Sequence, residues 1–337
     1  MEYAPTLRRL IAGQHLSQDE SAELIGAIMD GVITPAQGAG LLVALAAKGE
    51  HVDEIVGAAR AMRERATPVA HGLDRVVDVV GTGGDGANTI NVSTMAALVA
   101  AAAGVAVAKH GNRAASSACG SADVLEATGF EIELAPERAA AMLRASNFTF
   151  MYAPRYHPAM KNVGPIRREL GVKTIFNVLG PLTNPARANV MIVGVARAEL
   201  LELMGDVLRG LGVERGAIVH GAHGIDEVAG DGPTSVYSFD ERGARRWTIE
   251  PREFGIAVPL EEIVGGSIDA CRDALLSILG GERSSRADVV ALNAALVLFI
   301  AGVEPDLAAA LASARALLAS GAALEAYDRA KDVARNG

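Results

Sequence analysis

Cysteine is scarce: Cys119 and Cys271 are the only two in 337 residues, far apart and at no metal-ligand spacing. That excludes a disulfide framework and a cysteine metal site, and leaves two ordinary reduced thiols. Positive charge is scarce too, because 31 Lys and Arg stand against 40 Asp and Glu, giving a net charge of -9 and an isoelectric point near 5.4. A general nucleic-acid or membrane-surface binder needs a basic face, so neither is expected, and cationic sites must be local. No apolar run reaches bilayer length; the longest stretch of small apolar residues, 95–108, is short and broken by glycine. The amino terminus carries Glu2, Arg8 and Arg9 and no apolar signal core, so a cytoplasmic location is expected. His157, His220 and His223 have no fourth ligand at zinc spacing.

What is present is organised around residues 76–94, a β-branched run that stops at a glycine cluster and continues through Asn, Ser and Thr into the apolar 95–103. This reads as a strand, a phosphate-sized loop and a helix start. Gly81, Gly83, Gly84 and Gly86 let the backbone approach a ligand, the first helical amides offer unpaired N–H groups, and Thr89, Ser93 and Thr94 add hydroxyls. Although residues 81–86 satisfy G-x-G-x-x-G, the acid that would grip a ribose about twenty positions on is missing. After Asp85 the next acid is Asp123, and no Gly-Lys-Ser/Thr follows the glycines. Neither a dinucleotide fold nor a P-loop is therefore indicated.

The length suggests about two domains. Residues 1–70 read as helical: Ser17 to Glu20 form a capping box, Leu24, Ile25 and Ile28 lie on the helix it opens, and Gly31 ends that helix. Thr34-Pro35 opens the next, which stops at Gly49, and a further helix covers 52–66. Beyond residue 71 strands alternate with helices, as in a mostly parallel α/β sheet. Strands are expected over 76–80, 105–108, 131–134, 148–151, 190–195 and 217–220, with helices over 94–103, 121–128, 136–145 and 198–211. Each polar motif follows a strand, so all should meet at the carboxyl edge of the sheet. The residues after Ser284 read as core helices without chemistry.

Two further motifs stand at that edge. Residues 109–121, from Lys109 through Asn112 and Arg113 to Ser121, combine cations, an amide and hydroxyls ahead of a helix, which suits an anion better than a solvated loop. Asp226 and Glu227 are adjacent carboxylates after a strand; such a pair is commonly a solvated turn, but facing a phosphate cradle it suits Mg²⁺.

Taken in order, Gly-Thr-Gly-Gly-Asp-Gly at 81–86, Asn-Val-Ser-Thr at 91–94, Lys-His-Gly-Asn-Arg at 109–113, Gly-Ser-Ala-Asp at 120–123, His-Pro-Ala-Met at 157–160, Asn-Val-Leu-Gly-Pro-Leu-Thr-Asn-Pro at 177–185 and Gly-Ile-Asp-Glu at 224–227 resemble the anthranilate phosphoribosyltransferases. The resemblance runs through almost the whole chain; Cys119 is a minor variation. It implies a small helical domain over 1–70 with a return segment at about 164–188, and a phosphoribosyl-binding α/β domain over 71–337, in a homodimer formed through the helical domains. It also implies transfer of a 5-phosphoribosyl group from phosphoribosyl pyrophosphate (PRPP) to anthranilate, with Mg²⁺. On that template PRPP would be surrounded by Gly81, Gly84, Asp85, Thr89, Asn91, Val92, Ser93, Thr94, Lys109, His110, Gly111, Asn112, Arg113, Ala114, Ala115, Ser116, Ser117 and Ser121. Ser93, Asp226 and Glu227 would hold Mg²⁺, while Gly81, Asn112 and Arg167 would contact anthranilate, with Ala153-Pro154 walling its approach. Arg167 is preferred to Arg168 by family spacing to Asp226.

Departure of pyrophosphate builds negative charge on the leaving oxygens, so their stabilisation and in-line placement of the amine are the main catalytic needs. No general acid or base is assigned, and His110 reads as a residue that shapes its loop. Two rivals are a pyrimidine nucleoside phosphorylase, which needs no metal-bound pyrophosphate, and a non-catalytic nucleic-acid-binding relative. The carboxylate pair and residues 109–113 oppose the first, and net acidity the second.

Overall fold

A computed structural model describes residues 2–114 and 117–336. Ala115 and Ser116, two of the expected PRPP contacts, lie outside the described residues. The chain divides into two compact units.

The first unit comprises residues 1–68, 154–185 and 206–212. Its helices Gln18–Met29 and Pro35–Lys48 start at Ser17 and Thr34, each with a complete capping box that satisfies otherwise orphaned amides. The helix Val52–Glu64 packs closely on Gln18–Met29, because a Cβ at Gly57 would lie 2.1 Å from the Gln18 carbonyl oxygen. Between them sits a buried carboxylate: Glu54 accepts the Leu16 amide (2.9 Å), the His51 amide (2.8 Å) and the Lys48 ammonium (2.8 Å). Burial of a charge is tolerable only when it is so completely paired. The helix Met160–Leu170 completes the unit, and Asn162 donates to the Met29 carbonyl at 2.7 Å.

The second unit holds a seven-stranded sheet of β1 (Val77–Gly81), β2 (Val107–Gly111), β3 (Phe148–Tyr152), β4 (Val190–Gly194), β5 (Arg215–His220), β6 (Thr234–Asp240) and β7 (Gly243–Ile249). The order is β3-β2-β1-β4-β5-β6-β7, with β1 to β5 parallel and β6 and β7 antiparallel. The sheet is thus mostly parallel, as expected. Its antiparallel hairpin was not anticipated: β6 buries the consecutive residues 236–239 and β7 is exposed over most of its length, so neither strand shows the alternation that would announce it, and Glu241 and Arg242 make the turn.

Two other expectations change. Residues 131–134 bury Ile132 and Leu134 and expose Glu131 and Glu133, the alternation of a strand, yet they form none: the run is extended without a ladder, and the Glu133 amide turns to the Glu131 side chain at 3.1 Å. β2 begins later than expected, at Val107 and not Val105, so Lys109 and His110 lie on the strand and not in the loop after it. The core helices Val92–Ala102 and Ser285–Ala301 are apolar around most of their circumference because both are buried in the unit. No single helix among the described residues is long and apolar enough to cross a membrane.

Candidate functional site

Parallel strands leave their carboxyl ends at one edge, and in the second unit the loops after β1, β2 and β5 meet there. The turn after β1 needs glycine where the backbone is left-handed, at Gly83, Gly84 and Gly86 (φ +66°, +75° and +76°). Gly81 is glycine for a different reason: a Cβ there would lie 2.2 Å from Asp226 Oδ2. On the neighbouring strand a Cβ at Gly194 would lie 1.6 Å from the Asp226 carbonyl oxygen. Asp226 thus packs onto bare backbone of β1 and β4. It accepts the Gly83 amide at 2.7 Å, and its own amide donates to Asp85 Oδ2 at 3.4 Å. The glycine loop and the carboxylate pair, 143 residues apart, are one structure.

Glu227 lies deeper. Its Oε2 accepts the Thr89 hydroxyl at 3.1 Å, and the Ser93 backbone amide also donates to this carboxylate. The residue after it is clamped from the carboxy-terminal half: Asn293 accepts the Val228 amide at 2.9 Å and donates to the Val228 carbonyl at 3.0 Å. The helix Ser285–Ala301, expected to be only core, therefore also positions the acidic loop; one buried Asn in an apolar helix is the signal that was passed over.

Burial pushes the Glu227 carboxyl up to about 8, reinforced by the Asp226 charge. Burial, with Asp85 adding repulsion, pushes Asp226 up to about 6. The opposing cation is Lys109, buried on β2, whose ammonium donates to the Val79 carbonyl and to Ser93 Oγ (3.3 Å). Burial lowers its pKa, while the negative charges of Asp78, Glu227 and Asp226 hold it up. Asp78 is wholly buried on β1 and accepts the His110 amide at 3.3 Å, a fixed counter-charge that sequence reading missed.

The helix start differs from expectation. The amides of Val92 and Thr94 donate to Ile90 (2.6 Å) and Asn91 (3.1 Å) carbonyls, and the Ser93 amide is taken by Glu227, so these donors are engaged because a buried carboxylate and a tight turn compete for them. Val92 and Thr94 are fully buried. The glycine loop's own backbone and Lys109 remain as the anion-facing elements of this end.

The segment after β2 is built on Asp123, whose Oδ2 accepts the amides of Ala114 (2.8 Å) and Gly120 (2.9 Å). Asn91 donates to the Cys119 carbonyl at 3.2 Å, joining this segment to the helix after the glycine loop. Gly111 and Ser121 are in close apposition, with Ser121 donating to the Asn112 carbonyl at 3.3 Å. Asn112 and Ser117 are exposed. Arg113 lies over the Tyr152 ring (5.4 Å to the centroid) and is bound by Glu126 (2.5 Å) and Asp123 (3.4 Å). Arg167 belongs to the first unit, on Met160–Leu170; it is half-buried over the Phe176 ring (5.9 Å), and burial lowers its pKa.

Mg²⁺ was the expected metal. Among the described residues no three His, Cys, Asp or Glu side chains form a set able to hold an ion. Asp226 and Glu227 nevertheless fit Mg²⁺, which uses one or two carboxylates and keeps water or phosphate oxygens for the rest. Both carboxyls are held protonation-prone by burial and by neighbouring negative charge, Asp85 acting on Asp226 and Asp226 on Glu227, and a divalent cation would relieve both.

Comparison with known proteins brings in independent information. Residues 73–324 match the family model described as the glycosyl transferase family a/b domain, and residues 4–66 match the helical bundle domain of the same family. An anthranilate phosphoribosyltransferase of Polynucleobacter asymbioticus is 46% identical over 325 residues, covering 96% of this chain and 95% of the relative. The crystal structure of the Thermus thermophilus anthranilate phosphoribosyltransferase superposes with a TM-score of 0.92 at 45% identity, over 98% of this chain and 99% of that one. The Saccharomyces cerevisiae enzyme in complex with PRPP and Mg gives a TM-score of 0.90 at 26% identity, over 99% and 98% of the two chains.

Proposed function

Because the chain belongs to the anthranilate phosphoribosyltransferase family, we propose that it transfers the 5-phosphoribosyl group of PRPP to the amine of anthranilate, releasing pyrophosphate. The observation that carries this reading is the joining of the glycine loop to Asp226 and Glu227 at one strand edge, with Lys109 beside them. The backbone of residues 81–86 and the Lys109 ammonium bind the phosphates, and Lys109 counters charge that grows on the departing oxygens. Ser93, Asp226 and Glu227 hold Mg²⁺, which when bound neutralises the pyrophosphate. Thr89 and the Ser93 amide keep the Glu227 carboxylate in place, and Asn293 fixes the loop that carries it.

Of the residues after β2, Asn112 touches anthranilate and Asp123 positions the backbone that cradles PRPP. Arg113, engaged by Glu126, reaches PRPP only by releasing that partner. Arg167 supplies a planar guanidinium for the anthranilate carboxylate, for which a bidentate fork is suited. Holding the arylamine in line behind the anomeric carbon provides the remaining acceleration without a covalent nucleophile.

A homodimer and a cytoplasmic location are part of the same reading. Exposed apolar side chains on the helical unit, Ile11, Val32, Val43 and Val172, support a partner surface there. Analytical ultracentrifugation tests it. The activity is tested by mixing purified protein with anthranilate, PRPP and Mg²⁺ and following the loss of anthranilate fluorescence. No loss beyond that of a protein-free control, at any Mg²⁺ concentration, refutes the assignment.

A further inference from the structure

At the opposite end of β5 from Asp226 and Glu227, the β6–β7 hairpin leaves a cavity of about 250 Å³ against the helix Ser285–Ala301. The cross-strand pairing Ser238↔Arg245 and Val236↔Trp247 puts Ser238, Arg245 and Trp247 on one face of the hairpin, where Trp247 meets Phe299 edge to face (6.1 Å). Arg215, the first residue of β5, and Arg242 in the turn complete a ring of three guanidinium groups around the cavity. One carboxylate, Asp240, faces them, and its Oδ1 accepts the Arg242 amide at 2.9 Å.

Two features distinguish this cavity from a solvated arginine patch. Arg215 is only partly exposed, yet among the described residues its guanidinium meets no carboxylate within ion-pair distance, in a chain with a net charge of -9. Ser238 is 6% exposed and lines the cavity; its Oγ accepts the Trp247 indole N–H at 2.9 Å, which leaves the hydroxyl proton for a further acceptor. Arg242 also meets the exposed Glu241 at 3.8 Å, but Glu241 is outside the lining, where three guanidinium groups stand against the single carboxylate of Asp240; that excess of positive charge suits a dianion better than a monocarboxylate. The Phe299 side chain gives the cavity an apolar wall.

We propose that this cavity is a second anion site, distinct from the strand edge that carries Asp226 and Glu227, and that it takes a compact phosphate monoester with a flat apolar group. Trp247 is the only tryptophan of the chain and touches three residues of the lining, Phe299, Ser238 and Arg245, whose guanidinium lies over its ring at 5.8 Å, so its emission reports occupancy through them. Titrating the full chain with phenyl phosphate should change Trp247 emission saturably. Inorganic phosphate should act more weakly, and benzoate, a flat monoanion, at least tenfold more weakly. Arg215→Ala and Arg245→Ala should each weaken phenyl phosphate at least fivefold. Arg246→Ala, which removes the same charge from the opposite face of β7, where Arg246 pairs with Glu202 (2.6 Å), should leave it within twofold. A linear, unsaturable response, equal binding of benzoate, or an unchanged affinity in Arg215→Ala overturns the proposal. Near-ultraviolet circular dichroism confirms that each variant is folded.

Discussion

Glu54 in the helical unit and Glu227 in the α/β unit are both carboxylates removed from water, and their surroundings differ in one respect. Glu54 is completed by its own chain: two backbone amides and the Lys48 ammonium surround it. Glu227 receives one hydroxyl and one amide and then faces Asp226 and Asp85, with buried Lys109 as the neighbouring cation that also serves Asp78. A buried charge whose partners are all present stabilises a fold; one crowded by its own sign marks a place where a cation from outside belongs. The difference separates structure from function more sharply than burial does.

The largest test of that contrast is at the incomplete site. Asp226→Asn with Glu227→Gln should lower Mg²⁺-dependent turnover by about two orders of magnitude or more, the range seen when a charge-stabilising group is removed, with the melting temperature kept or raised. An unchanged rate across a Mg²⁺ titration would remove the metal assignment. The reverse pattern is expected at Glu54. Glu54→Ala takes the counter-charge from the nearly buried Lys48 ammonium, which keeps only the Gly49 carbonyl and the His15 ring, and strands two amides, so it should cost about 3–5 kcal/mol of stability, read from urea denaturation, with turnover per folded molecule within about twofold.

pH sharpens the comparison. In the metal-free folded protein Asp226 and Glu227 hold protons up to about 6 and about 8, which the unfolded chain releases near its ordinary carboxyl values of about 4. The folded state binds more protons in that window, so stability should fall as pH rises from about 4 to 8, and saturating Mg²⁺ should flatten the fall. Thermal melts at several pH values, with and without Mg²⁺, measure this; a rise over the same window contradicts the burial argument. The smallest effect is expected at Arg167, a half-buried cation of the helical unit that is stacked on Phe176 and, among the described residues, not ion-paired. Arg167→Ala should raise the KM for anthranilate about tenfold, the value of one lost charged contact, and that for PRPP much less. Equal effects on both would contradict its role.

Much of this was legible because local rules decide it. Ser17 and Thr34 start their helices by capping chemistry that involves only the next turn, and Gly83, Gly84 and Gly86 announce a left-handed loop because other residues avoid that backbone. Residues 131–134 show the limit: alternating burial is a property of extended chain, whereas a strand also needs a ladder with a neighbouring strand, and among the described residues this run belongs to none. Gly194 was unreadable for a similar reason, since nothing near it in sequence reveals that Asp226 lies against it.

The sequence by itself determined the helical start of the chain, the strand–helix alternation that follows, and the identity of the polar motifs, because these depend on contacts between near neighbours and on which residue types tolerate a given backbone. Only the tertiary structure decided that Gly83 binds Asp226, that Glu227 captures the Ser93 amide, that Asn293 holds the acidic loop and that Arg113 is engaged by Glu126. Those pairings join residues up to 143 positions apart and are fixed by which surfaces pack, a property of the whole chain.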